Sequence, residues 1–327
     1  MYSWGDDTGT WKKPGAYDYG SARRTYLGGL ADVSAKTGPR TYTSTTRPNS
    51  KLVATLDKVI ESKSENPIVI GVDVTGSMST WPKEIFDRLP LLYQTLSKYK
   101  PDTEIAFAAI GDATCDSFPL QVNNFEKETK LDACIKALYP EGGGGGGAKE
   151  SYELFAYYLL NNAKVDNAKS PFLIIYGDEG FYENVDPKQV QHYIGKKPET
   201  LLDSAAVWAA LKQKFDIYLL HKQYDSGGQD SVIVDQWRKV LGHEKVIPLY
   251  EPERAVDVAI GLIAKKWGEY GDFTKSLSAR HDASEARSVH ASLRHVTDVD
   301  ALSTKSIVSG KKSGKKSMRL TDLTDTV

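Results

Sequence analysis

Two apolar runs in this chain end directly on a carboxylate: Pro67-Ile68-Val69-Ile70-Gly71-Val72-Asp73 and Phe172-Leu173-Ile174-Ile175-Tyr176-Gly177-Asp178. After the first, Thr75 and Ser77 follow Asp73 at alternate positions, so a carboxylate and two hydroxyls can converge on one point. Small oxygen donors of this kind suit a hard divalent cation, Mg2+ (or Mn2+), which takes near-octahedral geometry and keeps several of its waters. The site residues expected to serve the metal are therefore Asp73, Thr75, Ser77 and Asp178. The competing account of the first loop is a capping turn, in which the same side chains satisfy backbone donors ahead of a helix.

The elements that must position these residues follow from hydrophobic periodicity. A continuous apolar run of six or seven residues reads as a strand buried on both faces. Further strands are expected at 104–111, 118–122, 215–220 and 245–249, and Pro119 places the second of these at a sheet edge. Helices are expected at 51–60, 81–99, 127–139, 149–162, 187–194, 200–213, 231–241 and 252–269. Alternating strands and amphipathic helices predict an α/β fold, a Rossmann-like open and mostly parallel sheet with helices on both faces and one antiparallel edge strand. In such sheets ligands bind beyond the carboxyl ends of the strands where the strand order reverses. Asp73 and Asp178 are expected there, on adjacent central strands.

With these residues in this order, the chain resembles the von Willebrand factor A (vWA) domain family, intracellular type, over about residues 51–270. The resemblance rests on Asp73-Val74-Thr75-Gly76-Ser77-Met78-Ser79, a glycine-rich loop before a helix, and Ile174-Ile175-Tyr176-Gly177-Asp178. It implies a vWA fold with a metal-ion-dependent adhesion site (MIDAS). Asp73 takes the place of the family's first Asp, Thr75 replaces the first Ser, Ser77 matches the second, and Asp178 matches the third-loop Asp. In the family the hydroxyls touch the metal and the Asp side chains act largely through water. The second loop departs from the pattern: Ala148 stands where the family has Thr, and Glu150 or a water is left to fill its place.

The resemblance also implies a function: magnesium binding in the service of protein-protein interaction, with an Asp or Glu carboxylate of the partner completing the ion's coordination. Intracellular relatives work beside MoxR-type AAA+ ATPases, so an adaptor for such an ATPase is expected. An enzyme remains the alternative, a metal-dependent phosphohydrolase using the same site. Thr75 stands where haloacid dehalogenase phosphatases carry a second Asp, which leaves that chemistry without its acid-base group. A third class is a structural or assembly protein. The glycine run 142–147 is neither a Walker A loop nor a dinucleotide fingerprint, because it follows a helix and Lys149 precedes Glu150.

Composition sets the frame. The 327 residues contain only Cys115 and Cys134, with no metal or disulfide spacing, and no apolar run long enough to span a bilayer. With no basic-then-apolar leader at its start, the chain is expected to be cytoplasmic, with no membrane partner. The net charge of −1 hides an acidic middle between basic ends: 1–50 carries seven Lys/Arg against four Asp, and 301–327 six against two. Residues 1–48 are expected to be an extended Tyr/Gly-rich arm, 49–272 the vWA domain, and 273–327 a polar, Lys-rich tail mostly without fixed structure, with at most a short helix between 283 and 296. No aromatic residue lies among Lys311, Lys312, Lys315 and Lys316, which disfavours nucleic acid as a partner.

Overall fold

A computed structural model describes residues 11–143, 147–195, 198–224 and 228–299. Six strands form the central sheet: β1 (Pro67–Asp73), β2 (Glu104–Ile110), β3 (Leu120–Val122), β4 (Phe172–Gly177), β5 (Asp216–His221) and β6 (Val246–Pro248), in the order β6-β5-β4-β1-β2-β3. All neighbours are parallel except β2 and β3, so the proline-bearing segment supplies the antiparallel edge. The chain is mixed α/β, with a mostly parallel sheet flanked by helices on both faces.

Strand periodicity explains the layering. Ile68, Ile70, Val72, Phe107, Ile174, Tyr176 and Leu220 point to one face, and Val69, Ala106, Leu173, Ile175 and Leu219 to the other, and each set is part of a separate buried cluster. Helices α1 (Ser21–Thr37), α3 (Trp81–Tyr99), α4 (Lys130–Lys136), α9 (Ala255–Trp267), α10 (Tyr270–Arg280) and α11 (Ala283–Ser292) contribute to the first cluster, as does Val53 of the short α2 (Ser50–Val53). The second takes α5 (Tyr152–Asn162), α6 (Pro187–Tyr193), α7 (Ser204–Leu211) and α8 (Asp230–Leu241). After β1, α3 leads to β2 on one side; the chain then returns to β4 on the other side of β1. The reversal of strand order therefore lies between β1 and β4, at whose carboxyl ends Asp73 and Asp178 sit.

Three expectations about the flanks are corrected. The segment expected as an extended arm contains the 17-residue α1, and Trp11, Tyr19 and Tyr26 are buried in the protein's own core, Tyr26 packing on Tyr93 of α3 at 6.2 Å between ring centroids. In the tail expected to be mostly without fixed structure from 273, the short helix allowed between 283 and 296 is present as α11, and α10, which was not expected, precedes it. Their Phe273, Leu277, Val289 and Leu293 are fully buried against α9. They approach closely because α9 carries Gly261, where a Cβ would lie 2.5 Å from Leu293 and 2.7 Å from Phe273. Beneath them Asp257 is fully buried and paired with Arg280 at 2.5 Å and His281 at 3.0 Å, which holds its carboxyl well below the usual range despite burial. The helix expected at 51–60 stops after Val53. Thr55 Oγ1 instead donates to Tyr193 O at 2.7 Å and the Asp57 amide to Ile194 O at 3.0 Å, leaving Leu52, Leu56 and Val59 exposed. The lysines at 311–316 lie outside the described residues.

If α1 and α10 belong to the core, Tyr26→Ala and Phe273→Ala should each destabilise the protein by about 3–5 kcal/mol, the usual cost of deleting a buried aromatic ring. Urea unfolding measures this, and losses below about 1 kcal/mol would return both segments to the status of loosely held arms.

Candidate functional site

The four residues expected to serve a metal come together in two hydrogen-bonded pairs at the carboxyl ends of β1 and β4. Asp73 Oδ1 accepts from the Thr75 amide at 2.9 Å and from Thr75 Oγ1 at 2.7 Å. Ser77, in the middle of a single 3-10 turn (Gly76–Met78), donates from Oγ to Asp178 Oδ2 at 2.6 Å. Asp73, Thr75 and Asp178 are buried, whereas Ser77 is exposed, so the group opens to solvent on the serine side. The bond from Asp73 to the Thr75 amide is the local turn that the capping account expects; the contacts made from other loops are what it does not expect.

The glycine-rich segment is tied to the first loop through its backbone: the Gly76 amide donates to Gly143 O at 2.7 Å and the Gly142 amide to Val74 O at 3.1 Å. Residues Lys149–Glu150 then pair in parallel with Gly180–Phe181, just beyond β4. This register brings Glu150 beneath the first loop, its Oε1 at 2.9 Å from Thr75 Oγ1. A buried carboxyl thus adjoins the first-loop hydroxyl. Thr75 has one hydroxyl proton and two carboxyl neighbours, so the second hydrogen bond draws on a proton carried by a carboxyl.

Tyr152, Glu179, Glu153 and Lys222 were not singled out from sequence. Tyr152, the first residue of α5, donates from its hydroxyl to Asp73 Oδ2 at 2.7 Å. It reaches that far because residue 177 is glycine: a Cβ there would lie 2.1 Å from the Tyr152 hydroxyl oxygen. Glu179 follows Asp178, is partly buried on the same edge, and meets the Glu150 side chain carboxyl to carboxyl. Glu153 is fully buried and accepts from the Tyr182 amide at 3.1 Å. Lys222, directly after β5, places its Nζ 2.6 Å from Ser77 Oγ and 3.3 Å from Asp178 Oδ2. Asp112, at the end of β2, accepts from the Thr114 amide at 2.9 Å, as a turn-former does, and also from the Tyr182 hydroxyl at 2.9 Å.

Burial governs the electrostatics. Desolvation first, and the Asp178 charge second, push the Asp73 carboxyl up to about 7. Desolvation followed by the Asp73 and Glu179 charges pushes Glu150 up to about 10, and desolvation followed by Asp73 and Asp178 pushes Glu179 up to about 8. Among the described residues, Lys222 is the one cationic side chain hydrogen-bonded to any of Asp73, Glu150, Asp178 and Glu179. Also among the described residues, no group of three or more His, Cys, Asp and Glu side chains is set to hold a metal ion. A cation here would have to draw on the hydroxyls of Thr75 and Ser77 as well. The donor set is nonetheless all oxygen and acidic, with the Glu150 and Glu179 carboxyls held beside it, which fits a hard divalent ion.

No family model matches the sequence, and no curated protein does. Among solved structures, the pilus adhesin SpaC from Lactobacillus rhamnosus GG is similar in two crystal structures, at 12% and 10% identity with TM-scores of 0.46 and 0.43; each match covers 64% of this chain and 31% of the adhesin. Proximal thread matrix protein 1 from the mussel byssus is 9% identical with a TM-score of 0.43, covering 64% of this chain and 48% of its own. This chain therefore spans less than half the length of each, and at these scores nothing known of them carries over to it. Among the described residues no helix is long and apolar enough to cross a membrane.

The raised carboxyl groups make stability pH-dependent in a fixed direction. Each stays protonated in the fold at pH values where the unfolded chain has already ionised, so the stability present below about pH 4 is lost as pH rises toward 7–8. In chelator the melting temperature should therefore fall between pH 5 and pH 8, and Glu150→Gln should flatten the fall. A melting temperature that climbs over this interval would contradict the arrangement of charges described.

Proposed function

We propose that this chain is a vWA-type interaction module that holds Mg2+ (or Mn2+) at Thr75, Ser77, Asp73 and Asp178 and offers it to an acidic side chain of a partner protein. The observation that carries this is the meeting of two strand-end carboxylates, two loop hydroxyls and a buried Glu150 at the reversal of strand order. Thr75 and Ser77 would supply direct hydroxyl ligands. Asp73 and Asp178 would orient those hydroxyls and balance the ion's charge, while Glu150 takes the part of the missing second-loop hydroxyl. When bound, the ion would supply an electrophilic position through which a partner's carboxylate is recognised, a directional contact that acidic loops would otherwise repel.

The chain's own residues divide this work. Tyr152 and the Thr75 amide fix the Asp73 carboxyl from both sides, so the first loop cannot rotate away from the sheet. Ser77 stands at the solvent side, where a partner approaches. Asp73 is completely buried with both oxygens already accepting hydrogen bonds, which speaks against its service as the nucleophile of a phosphohydrolase. The adaptor role beside a MoxR-type AAA+ ATPase belongs to the same proposal and rests on the resemblance of residues 73–79 and 174–178 alone.

Thermal melts with and without Mg2+ test this. With the free ion at about a hundred times its dissociation constant, binding to the native state alone adds about 2.7 kcal/mol, enough to raise the melting temperature by at least about 4 °C. Ser77→Ala and Asp178→Asn should abolish most of that rise while leaving circular dichroism unchanged. An identical melting curve in millimolar Mg2+ and in chelator would remove the basis for a metal-dependent module.

A further inference from the structure

Lys222 is the first residue after β5, and its amide donates to Gly177 O at 3.1 Å, so its backbone is anchored beside the residue that precedes Asp178. From there its ammonium reaches Ser77 Oγ and Asp178 Oδ2, which are two of the oxygens assigned to the ion. Ser77 Oγ gives its single proton to Asp178 and turns its remaining lone-pair side to the ammonium. A divalent ion needs that same lone pair and that same negative charge. A lysine ammonium and a dication cannot share them, because like charges a few ångströms apart in a half-buried setting repel by several kcal/mol before any screening.

A second position for the ammonium adjoins the first. A cavity of about 290 Å³ lies between the start of α3 and the segment leading into α9, lined by Ser77, Lys222, Trp81, Glu84, Arg88 and Glu253 among others. The lysine stem is a flexible chain of four carbons that ends in a compact charge, and it lines this cavity. The carboxylates of Glu84 and Glu253 line this cavity, the former already paired with Arg88.

We propose that Lys222 is an internal occupant of the cation position: it holds Ser77 and Asp178 together in the absence of an ion, competes with a divalent ion for them, and withdraws into the neighbouring cavity when the ion binds. This rests on the metal reading of the site. Metal affinity is then set by the lysine, which acts as a threshold: the ion must displace a tethered charge before it can be presented to a partner. Binding also moves a positive charge away from Asp178 and into the groove beside α3, which changes the surface a partner meets.

The test is Mn2+ titration at fixed pH, followed by electron paramagnetic resonance of the free ion, on the full chain and on Lys222→Met, which keeps the stem and removes the charge. Lys222→Arg, which keeps the charge, controls for loss of fold. The proposal requires Lys222→Met to bind Mn2+ at least about tenfold more tightly than the unaltered chain, with Lys222→Arg no tighter than it. In chelator Lys222→Met should also melt at a lower temperature than the unaltered chain, and added Mn2+ should restore it. If the unaltered chain fails to bind Mn2+ and Lys222→Met binds it, the lysine does occupy the position and the metal-dependent function of the native chain falls instead. Equal or weaker binding by Lys222→Met overturns the proposal while leaving the metal reading intact. Absence of binding in both overturns the two together.

Discussion

Four carboxyl groups, Asp73, Glu150, Asp178 and Glu179, are held largely out of water at the ends of two adjacent parallel strands, with one ammonium among the described residues to balance them. Burying carboxyl groups without compensation is among the costlier things a fold can do. The surrounding structure meets that cost locally. The Thr75 amide and hydroxyl and the Tyr152 hydroxyl serve Asp73, Ser77 and Lys222 serve Asp178, and the rise in the carboxyl pKa values keeps part of the cluster neutral near pH 7. Such an arrangement favours a positive ligand on electrostatic grounds, and the oxygen-only donors favour a hard one.

The rest of the molecule fixes the geometry of that cluster. The run Pro67–Asp73 is buried along its whole length and paired on both sides, so the position of Asp73 is set by the ladder with β2 and β4. Gly177 removes the one side chain that would stop Tyr152 from reaching Asp73. The short pairing of Lys149–Glu150 with Gly180–Phe181 carries Glu150 to Thr75, and the two backbone bonds from Gly142 and Gly143 hold the glycine segment against the loop. Site and sheet are therefore a single construction, in which each contact from a distant segment passes through a backbone position the strands define.

The strands, the strand-end carboxylates and the antiparallel edge were legible because period-2 and continuous apolar patterns are strong signals over six or seven residues. Asp73, Thr75, Ser77 and Asp178 were legible because they follow those runs directly. Tyr152, Glu150's contact with Thr75 and the reach of Lys222 depend on which loops the topology brings together, and no local pattern encodes that. Lys222 had one usable sign, its place immediately after an apolar strand on the same edge as the two Asp residues. The flanks were misjudged for a different reason. In α1 a single fully buried residue, Tyr26, anchors a helix that contains Gly28 and Gly29, so periodicity was faint. In α10 and α11 the four buried apolar residues are diluted by polar ones, some of which, such as Arg280 and His281, are themselves buried in pairing with Asp257. Residues 51–60 had a helical pattern that tertiary hydrogen bonds from Thr55 and Asp57 overrode.

The most direct measurement is a crystal structure of the chain grown with Mn2+, with the ion located by its anomalous scattering. A metal-bound module requires a single strong peak within bonding distance of Ser77 Oγ and Thr75 Oγ1, with Asp73 and Asp178 beside it. A crystal at saturating Mn2+ with no peak at this position, and with Ser77 and Asp178 still bonded only to each other and to Lys222, would contradict it.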